Sequence, residues 1–449
     1  MAEMGSALPT SGGLYWWTYK FAPEVAKRPL CFLAGYANTL GLVGGLVSID
    51  YGFASMVLSV PAIADPSFAP NKYQTYGVFA ACILSHIVIG SIATRVMSRL
   101  QTFCIVINML VIVITVIAVP IGAKNHDALQ SGHHVFTDTT NLTDWPYAWT
   151  WFLSWMSAIW TIGAFDSCVH LSEEATNAAT AVPFGIILSI SMCGVLGFAI
   201  LAVLFASIKD VQAVLATTTG QPMAQIYLDT LGKKWTIAMM VLLFIVQWFM
   251  GLSIIVAASR QTWAFSRDGA LPLSKYIREL NHKLQVPVRA VIFDGILGLI
   301  LGLLVLIDGA AAQALFSLGP ASNGLAWGLP IFCRHVWFEK DAFVPGPFYL
   351  GHFWSRVNGL FASVYLIFVV FVLSMFPAGG PDPTASVMNY TCVINGFVWG
   401  GCLVYYFVSA RNWFEGPKQT LKAEEIEGVD LIATHSTAHP VHSVRPLKT

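Results

Sequence analysis

Long apolar runs recur along the chain, separated by short polar stretches or by Pro and Gly. We identify about ten of them, each close to the 20 residues that a helix needs to cross a hydrocarbon core about 30 Å thick. They lie near 30–60, 74–94, 101–121, 147–169, 183–207, 235–258, 288–308, 312–333, 356–376 and 391–410. Apolar and polar residues do not alternate over any sustained stretch, so the runs are not strands of a membrane barrel. The pattern therefore predicts an all-α polytopic membrane protein.

Composition supports this class and excludes several functions. Of the 449 residues, 56% are hydrophobic and 11% are charged, whereas soluble domains carry about 25% charged residues. The net charge is zero and no basic stripe is present, so nucleic acid is not an expected partner. The eight cysteines show no CxxC or metal-ligand spacing and are expected to be small buried apolar residues. No nucleotide-binding glycine loop or nucleophile elbow occurs, so we expect no enzyme, no cofactor and no metal.

The distribution of Lys and Arg predicts an orientation. Cytoplasmic loops hold an excess of these residues. With the N-terminal segment in the cytoplasm, all of them lie on that side except Lys72, Lys124, Lys209, Lys233 and Lys234. Two Asn-X-Thr sequons, at Asn141 and Asn389, then lie outside, where glycosylation takes place. We expect a cytoplasmic N-terminal segment at 1–28, a transmembrane domain at 29–410 and a cytoplasmic polar tail at 411–449.

The fourth run ends in an unusual cluster of ionisable residues. After about twenty uncharged residues, the stretch from Trp160 to Ala175 delivers Asp166, His170, Glu173 and Glu174. Ionisable groups inside a membrane face the bundle interior and mark substrate or proton pathways. Gly163 and Ala164 precede them and supply the permissive backbone for an interruption of the helix. A broken helix exposes carbonyls to a cation and N–H groups to an anion, and an amino acid needs both.

Alternatives remain open for these residues. If the chain is helical from Asp166 onward, then Asp166, His170 and Glu174 share one face at four-residue spacing. Asp166 is alternatively a cap of the second half-helix, and Glu173 and Glu174 are alternatively interfacial charges. His170 is alternatively an interior group without a transport role. A metal site at His170 and Glu173 is not expected, because no second helix carries a matching pair.

Other features predict packing more than chemistry. Small residues four apart predict close helix contacts at Gly41 and Gly45, and again at Gly298 and Gly302. Asp50, His86 and Asp294 lie within or at the ends of apolar runs, and each is expected to be a satisfied interior or interfacial group more than a proton carrier. Gly319–Gly324 interrupts the eighth run, and it either lines a cavity with Ser322 and Asn323 or is a simple proline kink.

Three segments together resemble a known family. They are Gly163–Ala178 followed by Val182-Pro-Phe-Gly-Ile, Arg260–Pro272, and Ala2–Tyr15. In this order they resemble the sixth span, the segment after the eighth span and the end of the second span of the amino acid/choline transporter branch of the amino acid-polyamine-organocation superfamily. Fungal 4-aminobutyrate (GABA) and choline permeases belong to that branch.

The resemblance implies a fold and an activity. The fold would be an inverted-repeat bundle of two five-helix units with a site at the membrane midplane. The activity would be secondary transport of an amino acid or related amine of the GABA, choline or polyamine class, coupled to protons, in the plasma or vacuolar membrane. Carried over by residue, the substrate site falls on Ile162, Gly163, Ala164, Phe165, Asp166 and Ser167, with Phe165 as a gate. Glu173, Glu174 and His170 are candidate proton or gating groups.

The resemblance also shows a departure from the family pattern. Because Ala2–Tyr15 matches the end of the second span, the chain is expected to lack the first span and most of the second. The alternative function is therefore a truncated, non-transporting membrane protein or a partner subunit of the same family. A membrane enzyme is the third hypothesis, and only the cluster of Asp166, His170 and the two glutamates favours it.

Overall fold

The chain is almost entirely helical. The computed structural model describes residues 1–92, 94–281, 286–307, 309–338, 343–376, 379–382, 384 and 388–418, with side chains except at 94–98 and 309–313. Within these ranges the only β pairing is a single bridge between Asn281 and Val286. Residues 419–449 of the predicted tail lie outside the described residues.

Seventeen α-helices follow one another within the described ranges. The first nine are α1 Ala2–Ala7, α2 Gly13–Phe21, α3 Lys27–Ala64, α4 Lys72–Ile92, α5 Thr94–Asn125, α6 Gly132–Thr137, α7 Tyr147–Leu153, α8 Trp155–Thr161 and α9 Ser167–His170. The others are α10 Ala178–Ala206, α11 Val211–Leu215, α12 Pro222–Arg267, α13 Ser274–Ile277, α14 Val288–Gly302, α15 Gly309–Phe332, α16 His352–Phe368 and α17 Thr391–Val408. Helix α12 is kinked at Gly232, where φ is 75°.

The predicted apolar runs are helical. By length and composition, eight helices among the described residues suit a membrane crossing: α3, α4, α5, α10, α12, α14, α16 and α17, some extended by a following helical turn. Of the other two runs, 312–333 lies in α15, which contains two prolines. Run 147–169 is divided among α7, α8 and α9. The prediction of an all-α polytopic membrane protein is confirmed, and the inverted-repeat relation between its halves stays a prediction.

Helix α3 forms the interior of the bundle. Its 38 residues correspond to a length of about 57 Å, well beyond the hydrocarbon thickness. It packs against α2, α4, α12, α14, α15 and α17. In its most apolar window 78% of the residues are buried, against 6% for α10. Helix α10 instead exposes Val195 and Phe198, as expected for a helix that contacts lipid. Asn38 and Asp50 on α3, both 0% exposed, are therefore shielded from both lipid and water.

Close helix contacts occur at the predicted small residues. A Cβ on Gly41 would lie 2.2 Å from Asn323 Oδ1, and one on Gly45 would lie 2.8 Å from Ile254 Cδ1. In α14, a Cβ on Gly302 would lie 2.1 Å from Phe79. Larger side chains would force α3 away from α12 and α15, and α14 away from α4. The packing prediction for these glycines is confirmed.

The N-terminal segment is anchored by a buried ion pair. Glu3 Oε2 lies 2.7 Å from Arg334 Nη2 and accepts a hydrogen bond of 2.7 Å from Ser355 Oγ. Burial raises the pKa of the Glu3 carboxyl, but the Ser355 hydroxyl and the Arg334 guanidinium outweigh it and hold that pKa below its usual value. Either charge alone would be strongly unfavourable in this buried position, so the pair stays formed. It links α1 to α16 and to the turn after α15.

The helix of the fourth run breaks between Thr161 and Ser167. Helix α8 ends at Thr161, and α9 begins at Ser167. The left-handed residue in the break is Ala164, with φ of 61°, and not Gly163, to which the sequence analysis gave the permissive role. A left-handed conformation costs a residue with a Cβ about 1–2 kcal/mol. The surrounding structure therefore holds the break in place against local strain.

We predict that Ala164→Gly is tolerated or raises stability by up to about 1 kcal/mol. Glycine adopts the left-handed conformation without strain, but it also makes the unfolded chain more flexible, which offsets part of this gain. The matched control is Ala158→Gly on the exposed face of α8, which should lower stability by about 1 kcal/mol. The measurement is thermal unfolding of both purified variants in detergent. Equal destabilisation by the two substitutions would contradict the strain at Ala164.

Candidate functional site

A cavity of about 540 Å³ borders the helix break. It lies between the break, α3, α5 and α12, and most of its wall is apolar. The lining residues are Ile49, Gln101, Ala164, Ser167, Leu171, Glu174, Met250, Ser253, Ile254, Val256, Ala257 and Arg260. A concave, mainly apolar wall with a few convergent polar groups is typical of a small-molecule site, and the volume lies within the range of about 300–1,000 Å³ for such sites.

The polar groups of the cavity come from α5, α9, the turn that follows α9, and α12. Gln101 Nε2 on α5 donates to Ser253 Oγ on α12 at 2.7 Å. Arg260 Nε donates to Glu174 Oε1 at 3.0 Å, and this ion pair has one largely buried side chain, Arg260 at 8% exposure, and one half-exposed side chain, Glu174 at 54%. A pair of this kind can open without burying an unpaired carboxylate, since Glu174 already reaches water.

Asp166 is buried behind the cavity wall. Its side chain is fully shielded, and its Oδ2 accepts a hydrogen bond of 3.3 Å from Asn38 Nδ2 on α3. Asp166 makes no side-chain capping bond to α9, which contradicts the capping alternative. Its Oδ1 has no hydrogen-bond partner. The carboxyl therefore joins α9 to the interior helix α3.

Asparagines extend this polar cluster across two helices. Asn38 Nδ2 also lies 3.4 Å from Asn323 Oδ1 on α15, next to the close approach at Gly41. Ser322 Oγ donates to Asn395 Oδ1 on α17 at 2.6 Å. The segment Gly319–Gly324 thus continues α15 and contributes polar contacts between helices, and neither Ser322 nor Asn323 lines the cavity. Asn38, which the sequence analysis missed, could have been noticed as an amide inside an apolar run.

His170 is held from both sides. Its Nδ1 lies 3.1 Å from the Ser11 carbonyl oxygen, which can only accept, so Nδ1 carries a proton. Its Nε2 lies 3.5 Å from Asp166 Oδ2. The ring is buried and does not line the cavity. His170 and Asp166 therefore meet as their four-residue spacing predicts.

The two glutamates diverge from that helix face. Helix α9 contains only four residues and continues as a 3-10 turn over Ser172–Glu174. Glu173 accepts a hydrogen bond of 2.6 Å from Ser11 Oγ and lies 3.8 Å from Arg267. Glu174 turns to Arg260 instead. The predicted common face of Asp166, His170 and Glu174 is wrong for Glu174, because a 3-10 turn rotates each residue by more than an α-helix does.

The predicted substrate segment is divided between the cavity and the core. Of the six residues from Ile162 to Ser167, only Ala164 and Ser167 line the cavity. Phe165 packs on Trp327 of α15, with ring centroids 4.5 Å apart, and does not line the cavity, so its role as a gate over the substrate stays a prediction. A helix as short as the four-residue α9 also has only a small macrodipole. An anion at the break would therefore be bound by individual backbone N–H groups and not by the dipole of a half-helix.

The two sequons lie near each other at one end of the bundle. Asp144 N, three residues after Asn141, donates to Gly379 O at 2.8 Å, and Asn389 Nδ2 donates to Ser374 O at 2.9 Å. Asn141 is exposed, whereas Asn389 is partly buried and also donates to Phe376 O. Their loops therefore lie on the same side, as the predicted orientation requires, and glycosylation at Asn141 and Asn389 stays a prediction.

Comparison with known proteins identifies the class of the bundle. The family model described as "Amino acid permease" matches residues 1–398. The chain is 43% identical over 441 residues to the GABA-specific permease of Saccharomyces cerevisiae, which covers 97% of this chain and 77% of that protein. It is 34% identical over 438 residues to an amino-acid permease of Schizosaccharomyces pombe, covering 96% of this chain and 78% of that protein.

A second amino-acid permease of Schizosaccharomyces pombe is 34% identical over 428 residues, which cover 95% of this chain and 78% of that protein. The matches extend over the helix break, the cavity and the interior helix α3. These relatives are permeases and not enzymes, so the enzyme hypothesis falls. The chain belongs to the amino acid permease family of polytopic helical membrane transporters.

Proposed function

We propose that the protein is a secondary transporter of a small amino acid or related amine, with GABA as the first substrate to test and the proton as coupling ion. The observation that carries the proposal is the helix break at Ile162–Asp166, which borders a cavity of about 540 Å³. Irregular backbone at membrane depth persists only where protein or a water-filled cavity surrounds it. A break beside a cavity is therefore a place where a polar solute can reach backbone groups.

The lining of the cavity supports a substrate with a short apolar centre and polar ends. Ala257, Val256 and Ile254 form an apolar wall, while Ser167 on one side and the bonded pair of Gln101 and Ser253 on the other provide neutral hydrogen-bonding groups. GABA has this distribution of groups, and the yeast relative carries GABA in its name. Choline and polyamines are the other classes that the proposal includes.

We assign Glu173 and Glu174 to gating. Glu174 with Arg260, and Glu173 with Ser11 and Arg267, join the break to the N-terminal segment and to the end of α12. In the proposed orientation this end faces the cytoplasm. The glutamate side chains are 54% and 34% exposed, so water can solvate their carboxylates when the cavity opens. His170 holds Asp166 against Ser11, and the proposed substrate segment remains Ile162–Ser167.

The proposed setting is the plasma or vacuolar membrane, with the N-terminal segment in the cytoplasm. Supporting observations are the excess of Lys and Arg on one side and the shared location of the two sequon loops. Glycan attached at Asn141 after expression in a eukaryotic cell, and lost in Asn141→Gln, would place that loop outside.

We predict that Ser167→Leu lowers saturable uptake of labelled GABA by at least about tenfold, because an added apolar side chain fills the cavity and removes a hydroxyl from its wall. The measurement is initial uptake by the full chain reconstituted in liposomes, with choline and polyamines as competitors. Asp166→Asn should also lower uptake, because it disturbs the contacts of Asp166 with His170 and with Asn38 of α3.

The matched control is Ser157→Leu, which places the same side chain on the exposed face of α8, outside the cavity lining. It should transport like the unmodified protein. If the unmodified protein shows no saturable uptake of any tested amine, transport by this chain is refuted. If Ser167→Leu and Ser157→Leu behave alike, the transport proposal survives but its site is wrong.

We predict that Glu174→Arg and Arg260→Glu each lower uptake by about tenfold, and that the double variant recovers a substantial part of the loss. Each single change places like charges together, whereas the exchange restores an ion pair across the cavity wall. The readout is initial uptake normalised to folded protein in the membrane. Absence of any recovery would show that Arg260 or Glu174 acts on the substrate individually and not as a gate.

A further inference from the structure

A second buried pair of ionisable residues lies between α3, α4 and α12. His86 Nδ1 on α4 lies 3.1 Å from Asp50 Oδ2 on α3, and both side chains have 0% exposure. His86 Nε2 lies 2.9 Å from the Trp248 carbonyl oxygen on α12. Sequence reasoning took Asp50 and His86 as separate interior groups, since 36 residues separate them.

The partners of the imidazole determine how many protons the pair holds. The Trp248 carbonyl can only accept, so Nε2 carries a hydrogen. If Nδ1 were bare, its lone pair would face a carboxylate oxygen at 3.1 Å, and two acceptors do not remain at that distance without a hydrogen between them. One proton therefore lies between Asp50 and His86, which makes the pair neutral overall. When the proton leaves, one negative charge remains and the contact between α3 and α4 becomes repulsive.

Among the side chains that the structure describes, no other charge near Asp50 can compensate for that loss. The remaining neighbour on α4 is Cys82, whose Sγ lies about 4 Å from the His86 ring nitrogens. Asp50 Oδ1 has no hydrogen-bond partner. On α3, Tyr51 turns to Phe316 of α15, and α12 has no ionisable side chain between Lys234 and Arg260. Asp294 on α14 is bonded to Thr262 at 2.8 Å, and Cys104 is the remaining ionisable side chain of this packed region, on α5.

The surroundings admit a proton more readily than a metal ion. Asp50, Cys82 and His86 form a group with metal-ligand chemistry, but among the described residues it offers three ligands. A structural metal site uses four ligands, and a catalytic one needs room for water. No space for such a water remains beside the pair, because the backbone of Gly251 on α12 packs against it: a Cβ on Gly251 would lie 2.2 Å from Asp50 Oδ1 and 2.5 Å from His86 Cε1.

The pair adjoins the proposed substrate cavity. Ile49 and Met250 line the cavity, and they are the chain neighbours of Asp50 and of Gly251, which contacts both members of the pair. A change in the separation of α3, α4 and α12 at the pair therefore displaces cavity wall residues. The pair of Asp166 and His170 differs, because its two side chains lie 3.5 Å apart and the hydrogen bond to that carboxyl comes from Asn38.

We propose that the Asp50–His86 pair is the binding site for the coupling proton, and that its occupancy sets the packing of α3 and α4 against α12 beside the substrate cavity. This inference rests on the proposed transport function. A proton taken from water forms the N–H bond at His86 Nδ1, directed at Asp50. On release that N–H bond breaks, the proton returns to water, and the carboxylate and neutral imidazole separate.

The test compares Asp50→Asn with the unmodified full chain in two measurements. In liposomes, an inward proton gradient should raise GABA uptake by the unmodified protein about tenfold, within the usual range for coupling between sites. Asp50→Asn should lose this response, because its amide donates permanently to His86 Nδ1, while exchange of labelled for unlabelled GABA persists. The matched control, Asp229→Asn at an exposed carboxylate bonded to Gln225, should respond like the unmodified protein.

The second measurement needs no transport. Infrared difference spectra of the purified protein between acidic and alkaline pH should contain carboxyl or imidazole bands that disappear in both Asp50→Asn and His86→Gln. Unchanged bands in both variants would overturn the proton site, whatever the transport result. Absence of uptake by the unmodified protein would refute transport, and the bands would still decide the proton site.

Three other transport or binding outcomes would also overturn the inference. The first is a full gradient response in Asp50→Asn. The second is loss of exchange in proportion to uptake, which would assign the pair a structural role. The third is stoichiometric binding of Zn²⁺ that Asp50→Asn and His86→Gln abolish, which would make the group a metal site. Loss of the gradient response in Asp166→Asn but not in Asp50→Asn would assign the proton to Asp166 and His170.

Discussion

The absence of water from the membrane interior is the constraint on which this structure depends. Each backbone N–H and C=O at that depth needs a partner within the protein, so the chain forms helices wherever it faces lipid. The break at Ile162–Asp166 is the exception that matters for function. It is accommodated because a cavity borders one side of it and because Asp166, on the other side, contacts Asn38 and His170.

Helix α3 connects the polar groups of the interior. Asn38 reaches Asp166 at the break, and Asp50 reaches His86, so two of the buried carboxyl groups make their contacts through this one helix. The apolar packing of α3 against its neighbours excludes water from both clusters. Electrostatic interactions are stronger in such surroundings, and unpaired groups are more costly. The burial that stabilises the bundle therefore also makes the gain or loss of a proton at these groups large in energy.

Ion pairs at the end of α12 work in different surroundings. Arg260 and Arg267 meet Glu174 and Glu173, and the glutamate side chains are 54% and 34% exposed. Because the glutamate of each pair reaches water, solvent screening makes these pairs weaker than a fully buried pair. Contacts of this strength can exchange with water during a transport cycle. Buried pairs such as Glu3 with Arg334 cannot do so at low cost, which suits them to anchoring.

The sequence alone largely determined which segments of the chain form membrane helices. Hydrophobic run length is a local property, and it located the helices, the break near Gly163 and the small residues at close contacts. Acids inside an apolar run lie beside the cavity, and their part in transport stays a prediction. These signals need no information about which helices are neighbours, because the lipid environment imposes them on each segment separately.

Tertiary structure decided the partners and the directions of side chains. It turned Phe165 toward Trp327, placed the left-handed residue at Ala164, and brought Asp50 to His86. No spacing in the sequence encodes these contacts. They join helices that are distant in the chain, and they follow from how side chains fill the space between packed helices, where a shift of one ångström changes the partner.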